Sequence, residues 1–470
     1  MGAFVRPPDQ GVRRVGRLTS KAADAPPGGT VLLHMQAPSA DGSRVASLDP
    51  SSGLVRLLDD RGGDAGVIEA GDLENPAGLN WLEGDAGLVW WDLDHVYLST
   101  ASPAAVSRLA YQISQPDDGG PPLAIEDVRA VAGGLLVVAQ ACADREVRRR
   151  ATFVHLRGTK VVGETDLTPW AGLMLRAANA LPDGRVVLAV NDPEDVEAFQ
   201  ARCILDRREQ PGALKTCWYL SRRSRMSAAR LRVLRVHGPE VVEVQSEHPC
   251  PGFSCAVRGW AMGRDSFVLD TGSSLLSLRS ALDPGPLMSS SGGIWAQWPL
   301  PRSDAGYIPP LNSSWLRGQT LLYANAEVVV LRDIGGEQLR TWRSNSRVRA
   351  VRFAADRAAV VVTMVDAIAR LDVATMKTTM LLARDDVLAA ADVPERFEFS
   401  DARVLPSGAL LFDTALTERP EGRFIAHESV WVGQSRGGCE GPAAHPTAPH
   451  PLTSARLRQL SPRMHWEGLP

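Results

Sequence analysis

The unit that decides the fold lies in one stretch, Asp356-Arg-Ala-Ala-Val-Val-Val-Thr-Met-Val-Asp-Ala-Ile-Ala-Arg-Leu-Asp-Val-Ala-Thr-Met-Lys-Thr-Thr-Met-Leu-Leu382. A turn residue, Asp356, precedes the continuous β-branched run Val360-Val-Val-Thr363, which is typical of a strand buried on both faces. The alternating segments Ala367–Asp372 and Lys377–Leu382 then predict a hairpin that is exposed on one face. The stretch therefore predicts an interior strand followed by an outer hairpin.

The same turn-and-strand unit recurs along the chain at intervals of 49, 51, 79, 55, 38 and 52 residues. Apart from one long interval, this matches the period of roughly 40–50 residues that four-stranded propeller blades show. Outer hairpins are predicted in register at 44–58 and 328–342. The other turn residues, each with the strand that follows it, are Gly84 (Leu88–Trp91), Gly133 (Leu135–Val138), Gly184 (Val186–Ala189), Gly263 (Phe267–Leu269), Gly318 (Leu321–Tyr323) and Gly408 (Leu410–Phe412).

In this period and this order of strands and turns, the chain resembles the WD40-like, YVTN-like and quinoprotein-like β-propellers, over roughly Thr30 to Val432. The resemblance implies an all-β propeller of four-stranded blades. Eight blades are expected, or alternatively seven, because the strands of 30–58 either complete a further blade or share the last one. The subfamily is not assigned, since the Gly-His and Trp-Asp dipeptides of WD40 blades are missing at their expected places.

The predicted organisation has three parts. Residues 1–29 form an N-terminal arm that contributes a closing strand in one of the alternatives, residues 30–432 form the propeller, and residues 433–470 form an irregular C-terminal tail. The interval of 79 residues contains an insertion at 192–225, in which Pro193–Gln200 is predicted as a short helix.

Composition limits the partners. The net charge is −3, which disfavours nucleic acid and anionic membranes. Arginine outnumbers lysine 47 to four, and together with abundant Ala, Gly and Pro this bias predicts a bacterial, GC-rich gene. The longest apolar run, 358–365, is far below the roughly 20 residues of a membrane span. No leader is evident in 1–21, so a cytoplasmic location is expected.

The cysteines support an alternative location. Cys203 and Cys217 bracket one loop, and Cys250 and Cys255 bracket another. If both pairs are disulfides, the compartment is oxidising and therefore extracytoplasmic.

Three stretches resemble catalytic or metal-binding motifs, and each has a simpler structural interpretation. Asp270-Thr-Gly and Asp413-Thr-Ala are similar to the loops of aspartic proteases, but both fall on the repeated interior strand. Gly433-Gln-Ser-Arg-Gly437 matches a nucleophile elbow without a following helix. A zinc site from His237, His248, Cys250 and Cys255 has unusual spacing. We therefore predict no catalytic residues, no metal and no cofactor.

The leading hypothesis is a non-catalytic scaffold or recognition subunit that binds another protein, with an acidic surface as one possibility, inside a larger assembly. Loops on propellers vary without loss of the fold, which suits recognition. Arginine stripes and exposed aromatic side chains are suited to such contacts. The predicted partner-binding residues are Arg222, Arg223, Arg225, Arg230, Arg232, Trp295 and Trp298.

The alternative is an enzyme with its active site in the central channel: a hydrolase, a lactonase or a quinoprotein-like dehydrogenase. Its carboxylates would lie at the ends of the repeated interior strands. The candidates are Asp92, Asp192, Asp270 and Asp413.

Overall fold

The computed structural model describes the following ranges: 2–5, 18–19, 30–33, 35–49, 53–71, 73, 76–103, 105–115, 122–143, 146–171, 174–191, 230–249, 259–262, 266–270, 275–280, 294–299, 313–317, 320–325, 327–333, 339–354, 358–385, 397–417 and 424–425. Their dominant element is the β-strand.

The first eleven strands are β1 (Gly2–Val5), β2 (Leu18–Thr19), β3 (Thr30–Leu33), β4 (Met35–Pro38), β5 (Arg44–Asp49), β6 (Leu54–Asp59), β7 (Asp64–Glu69), β8 (Gly78–Trp81), β9 (Gly87–Trp91), β10 (His95–Thr100) and β11 (Arg108–Gln112). The next twelve are β12 (Ala124–Val131), β13 (Gly134–Ala143), β14 (Glu146–Arg157), β15 (Lys160–Asp166), β16 (Met174–Ala180), β17 (Val186–Asn191), β18 (Arg230–Gly238), β19 (Val241–Pro249), β20 (Gly259–Met262), β21 (Ser266–Asp270), β22 (Leu275–Ser280) and β23 (Ile294–Pro299).

The remaining strands are β24 (Ser313–Arg317), β25 (Thr320–Ala324), β26 (Val328–Asp333), β27 (Leu339–Arg343), β28 (Val348–Phe353), β29 (Ala359–Met364), β30 (Ala367–Asp372), β31 (Thr378–Ala383), β32 (Phe397–Val404), β33 (Leu410–Thr417) and β34 (Phe424–Ile425). Two short 3-10 helices are described, at Glu83–Asp85 and Thr168–Ala171.

The strands form seven four-stranded sheets, in each of which neighbours in sequence are neighbours in space. These sheets are β4–β7, β8–β11, β12–β15, β16–β19, β20–β23, β24–β27 and β28–β31. A further six-stranded sheet has the order β2-β3-β1-β33-β32, with β34 beside β33. In that sheet β1 pairs antiparallel with β33, so that Gly2 lies opposite Asp413 and an N-terminal strand pairs with a C-terminal one.

The predicted four-stranded antiparallel blade is confirmed. Of the seven four-stranded sheets, six have described side chains, and β20–β23 is described by its backbone alone. Six is fewer than the eight, or alternatively seven, blades expected from the sequence. The number of blades in the complete propeller therefore stays a prediction. The six-stranded sheet differs from a simple blade because segments from both ends of the chain contribute to it.

The repeated apolar strands lie second in their sheets, flanked by hydrogen-bonded neighbours on both sides. All residues of β17 and β29 are buried, and so are all five of β9. The predicted outer hairpins are confirmed as β5–β6 and β30–β31, with Asp372 accepting hydrogen bonds from Thr375 at the second turn. The continuous apolar runs therefore form strands that are buried on both faces. The alternating runs form strands that are buried on one face.

Contacts divide the chain into two compact units, Met1–Ser114 with Arg340–Pro470 (unit 1) and Gln115–Leu339 (unit 2). In each unit the core lies between neighbouring sheets. In unit 1, Trp90 of β9 packs with Leu48 of β5 and Ile68 of β7. In unit 2, Phe153 of β14 packs with Leu188 of β17.

Several predicted segments lie outside the described residues: the insertion at 192–225 with its helix, and the tail at 433–470. Among the described residues, no helix has the length and apolar character needed to cross a membrane.

Candidate functional site

A five-residue motif recurs on the strand that precedes the buried strand in four sheets. It consists of an apolar residue, two variable residues, a small or apolar residue, and then Arg or Asn. Each copy contains a β-bulge that shifts the register after its first residue. A bulge bends the strand and re-aims the side chains that follow it. The copies of this inner-strand motif are Ile125–Arg129, Leu175–Asn179, Val348–Arg352 and Phe399–Arg403.

In unit 1, the last two copies lie on β28 and β32 and are joined by ion pairs. Arg352 binds Asp401 in a bidentate manner, with Nε 2.7 Å from Oδ1 and 2.8 Å from Oδ2, while its Nη2 also donates to Oδ2. Arg349 donates to Glu398. The side chains of Arg352 and Asp401 are 21% and 24% exposed. Partly desolvated, bidentate pairs of this kind hold both side chains in one geometry.

A pocket of about 140 Å³ opens beside the Arg352–Asp401 pair. Asp401 on β32 lies directly opposite Asp413 on β33, so two carboxylates share this edge of the sheet. Gln36 of β4 donates a hydrogen bond to Asp413 from its Nε2. The residues that line the pocket are Gln36, Pro38, Arg352, Asp401, Ala402, Arg403, Leu411, Phe412 and Asp413.

Arg403 carries the most perturbed charge of this pocket. Desolvation, with a further contribution from Arg352, lowers its pKa to about 10, although Asp401 and Asp413 act in the opposite direction. Arginine remains charged at neutral pH after such a shift. The pocket therefore contains two guanidinium groups and two carboxylates, whose charges cancel.

In unit 2, the first two motif copies are joined at their last residues. Arg129 donates from Nη1 to Oδ1 of Asn179 at 2.7 Å, and its Nε lies 2.7 Å from Asp127. Arg149 of β14 pairs with Glu126 at 2.8 Å and also donates to the carbonyl of Arg176. The motif thus links neighbouring strands β12 and β16 through polar contacts, as it links β28 and β32 in unit 1.

Two of the predicted partner-binding arginines are described. Arg230 and Arg232 lie on one face of β18, as their alternation predicts, and both bind Glu247 of β19, at 2.8 and 2.7 Å. Arg232 also donates to the carbonyl of Trp170. These guanidinium groups hold β18 and β19 together, so part of their hydrogen-bonding capacity is used inside unit 2.

Glu247 provides a test of this pairing. Burial acts to raise the pKa of Glu247, but hydrogen bonds from Arg232 and Arg230 outweigh it and leave the pKa lowered. A lowered folded-state pKa contributes stability above the unfolded pKa, and that stability is lost as pH falls through the folded value. We expect Glu247→Gln to lower the free energy of unfolding at pH 7 by about 1 kcal/mol. The difference from the wild type should shrink as pH falls from about 5 to about 3, measured by urea unfolding at each pH. A difference that is independent of pH would contradict the pairing.

The other predicted site residues are distributed as follows. Trp295 and Trp298 fall on β23, where only the backbone is described. Arg222, Arg223, Arg225, Cys203, Cys217, Cys250 and Cys255 lie outside the described residues. Their predicted roles stay predictions.

Of the four carboxylates predicted for the enzyme alternative, two have described side chains. Asp92 is buried and accepts hydrogen bonds from the backbone N–H groups of Asp94 and His95, which closes the β9–β10 turn. Asp413 lines the pocket. Asp270 ends β21, where only the backbone is described, and Asp192 lies outside the described residues.

The two histidines of the zinc-like motif lie in different surroundings. His237 is exposed beside Glu243, whereas His248 is buried beside Ser246. Within the described ranges, no group of three or more His, Cys, Asp or Glu side chains is arranged to hold a metal ion.

Sequence reasoning selected Asp413 but missed Gln36, Arg352, Asp401 and Arg403. A signal was present, because the inner-strand motif ends four or five residues before the turn residues Gly133, Gly184, Asp356 and Gly408. The pocket itself was not visible, because it combines residues 36 and 413, which are far apart in the chain.

No protein-family model matches the chain, and no curated protein matches it. Among solved structures, the Pan2 WD40 domain of Neurospora crassa is 10% identical, with a TM-score of 0.43, over 74% of this chain and 91% of that chain. The Cps50 (Swd1) β-propeller domain of Myceliophteria thermophila is 10% identical, with a TM-score of 0.40, over 71% and 93%. Apo AztD from Citrobacter koseri is 13% identical, with a TM-score of 0.43, over 72% and 82%.

The repeated four-stranded antiparallel blades define the chain as an all-β protein of the β-propeller class. At these identities the similarity does not extend to activity or partners.

Proposed function

We propose that the chain is a non-catalytic β-propeller scaffold or recognition subunit, which binds another protein within a larger assembly. The observation that carries the proposal is a pair of exposed apolar patches, built in the same way in each unit on the outermost strands of the blades. Single exposed apolar residues are ordinary on protein surfaces. Clusters of them mark interaction surfaces.

The first patch, outer patch 1, lies in unit 1. Val106 is 75% exposed and Leu109 of β11 is 54% exposed. A bridge between Glu69 and Val106 places this segment beside β7, whose Val67 is also exposed. Pro103 lies against Gly66 of β7 so closely that a Cβ on the glycine would be 2.8 Å from the proline ring. Outer patch 1 consists of Val67, Pro103, Val106 and Leu109.

The second patch, outer patch 2, repeats this construction in unit 2. Pro239, in the turn between β18 and β19, lies against Gly163 of β15, where a Cβ would be 2.5 Å from the ring. Val241 of β19 is 57% exposed. Thr165 of β15 fixes the same turn by donating to the carbonyl of Pro239 at 3.0 Å. Outer patch 2 consists of Val162, Pro239, Val241 and Val244.

The construction explains why these residues suit recognition. A glycine without a side chain lets a proline from the next segment approach, which fixes the turn and the valines beside it. Apolar side chains on a rigid frame lose little conformational entropy on binding. The predicted arginines 222–232 and the two tryptophans of β23 remain part of the proposal as further partner-facing residues.

The test is site-specific photo-crosslinking in cells that produce the protein. A benzophenone amino acid replaces Val106 or Val241 in the full chain, and controls carry it at the exposed polar positions Gln112 of β11 and Glu243 of β19. We expect discrete adducts with another protein from Val106 or Val241, at least about tenfold stronger than from the controls, because the excited benzophenone reacts only with C–H bonds that lie within its reach, and partner contacts concentrate on the patch.

Two results would contradict the proposal. Equal adduct yields at patch and control positions would mean that the patches make no specific contact. An adduct with the mass of two copies of this chain would mean that the outer patches serve self-association rather than another protein.

A second candidate function, an enzyme that works at the inner strands, is favoured by Asp413, a predicted carboxylate that lines a charged pocket. Intact mass under native and denaturing conditions separates the two candidates. A tightly bound cofactor in the purified protein would support the enzyme, and the scaffold predicts the mass of the bare chain.

A further inference from the structure

The pocket of unit 1 contains two polar groups that the rest of the described structure leaves unused. Asp401 is occupied by Arg352 and by the backbone N–H of Ala402. Asp413 accepts the hydrogen bond from Gln36. Among the described residues that line the pocket, the guanidinium of Arg403 and the amide oxygen of Gln36 are left without a hydrogen-bond partner.

Arg403 is half-buried and lines the pocket, and it has no hydrogen bond or ion pair with any other described residue. A guanidinium has five N–H donors and cannot act as an acceptor. A carboxylate is the group that matches the fork of arginine best. Arg403 therefore favours a ligand with a carboxylate.

The Gln36 side chain favours a hydrogen-bond donor on the ligand, whereas Arg403 favours an acceptor. Its Oε1 is buried and has no hydrogen-bond partner within the described part of the chain. The orientation of this amide follows from its neighbour, because only the NH2 group can face the Asp413 carboxylate favourably. A buried carbonyl oxygen next to a carboxylate favours an N–H donor, and a charged ammonium more than a neutral amide.

Charge balance and size restrict the ligand further. The two arginines and two aspartates of the pocket sum to zero, so a purely anionic ligand would meet the repulsion of Asp401 and Asp413. A ligand with one carboxylate and one ammonium keeps the balance. The volume of about 140 Å³ is several times what one water requires. It is smaller than the roughly 300–1,000 Å³ of pockets for drug-sized ligands.

We propose that this pocket is a binding site for a small, neutral α-amino acid, whose carboxylate binds Arg403 and whose ammonium group binds Gln36 Oε1 and Asp413. The inference goes beyond the proposed scaffold function and does not depend on it. A bound amino acid would contact three strands of unit 1, namely β4, β32 and β33. The stability of that unit would then depend on the ligand.

The experiment is calorimetric titration and thermal unfolding of the full chain with glycine, L-alanine and L-serine as probes. Acetate and methylammonium, added separately, supply each charge alone. We expect a Kd of about 1 mM or lower for at least one amino acid, and binding of each half-ligand at least about tenfold weaker. At 100 Kd the ligand should raise the unfolding temperature by several degrees, roughly 2–5 °C.

Arg403→Met should weaken binding by at least about tenfold, because it removes the guanidinium that binds the ligand carboxylate. Gln36→Leu, a second variant, should weaken binding of the amino acids but not of acetate. Arg370→Met is the matched control, since Arg370 is exposed on β30, outside the pocket, and should bind like the wild type.

Three results would overturn the inference: no binding of any of the three amino acids by the folded protein, acetate binding as tightly as glycine, or unchanged glycine binding in Arg403→Met. If Arg403→Met does not fold, Gln36→Leu decides, because unchanged amino-acid binding in that variant contradicts the assigned ammonium site.

Discussion

Replacing Trp90 with alanine is expected to lower the free energy of unfolding by about 3–5 kcal/mol. The Trp90 side chain is fully buried between the sheets β4–β7 and β8–β11 and stacks on Tyr97, with ring centroids 6.4 Å apart. Its Nε1–H donates to the carbonyl of Ala70 at 2.8 Å. Alanine would leave both a cavity and a buried carbonyl without a partner.

The measurement is urea unfolding followed by circular dichroism. Trp90→Phe separates the two contributions, because it keeps most of the ring volume and loses only the hydrogen bond, so about a third to a half of the effect is expected. The matched control is Trp170→Ala, a half-buried tryptophan of unit 2, for which the loss should be clearly smaller. Equal losses for Trp90→Ala and Trp170→Ala would show that the Trp90 contacts do not hold these sheets together.

The second large effect is expected from Asp401→Ala, with a loss of about 2–3 kcal/mol in the free energy of unfolding. Asp401 neutralises Arg352, and its removal would leave Arg352 and Arg403 in the same partly desolvated pocket. Uncompensated buried charges cost more than the net contribution of the intact pair.

A double-mutant cycle tests this explanation. Asp401→Ala combined with Arg352→Ala should recover at least about 1 kcal/mol of the summed losses, because the unpaired guanidinium of Arg352 is then absent. Asp127→Ala is a matched control, since Asp127 has the same place in the inner-strand motif. Its pair with Arg129 is more exposed, at 34% and 44%, so about 0.5 kcal/mol is expected. Additive losses in the cycle would contradict the coupling of Asp401 and Arg352.

The blade was predictable from the sequence because its signal is local. The run Val360–Thr363 predicted a strand buried on both faces, and β29 is buried at every residue. The alternation of Ala367–Asp372 and Lys377–Leu382 predicted the β30–β31 hairpin. Strand period, turn chemistry and apolar runs act over a few neighbouring residues, so they can be recognised without knowing what packs against them.

The candidate site was only partly predictable. Asp413 was selected for its position at the end of a repeated strand, and the structure places it in the pocket. Arg230 and Arg232 were expected to face a partner, yet their shared contact is Glu247 of the next strand. The alternation of side chains gave the common face of these arginines, but it could not show which carboxylate lies across from them.

The sequence by itself determined the class of fold and the order of strands within each blade. Only the tertiary structure decided that Gln36 contacts Asp413 and that Asp401 binds Arg352, and that Arg403 lines their pocket without a hydrogen bond to another described residue. The physical reason is that hydrogen-bonded strands are specified by residues close in the chain. A pocket instead depends on which sheets become neighbours, and here that juxtaposition joins residues 377 positions apart.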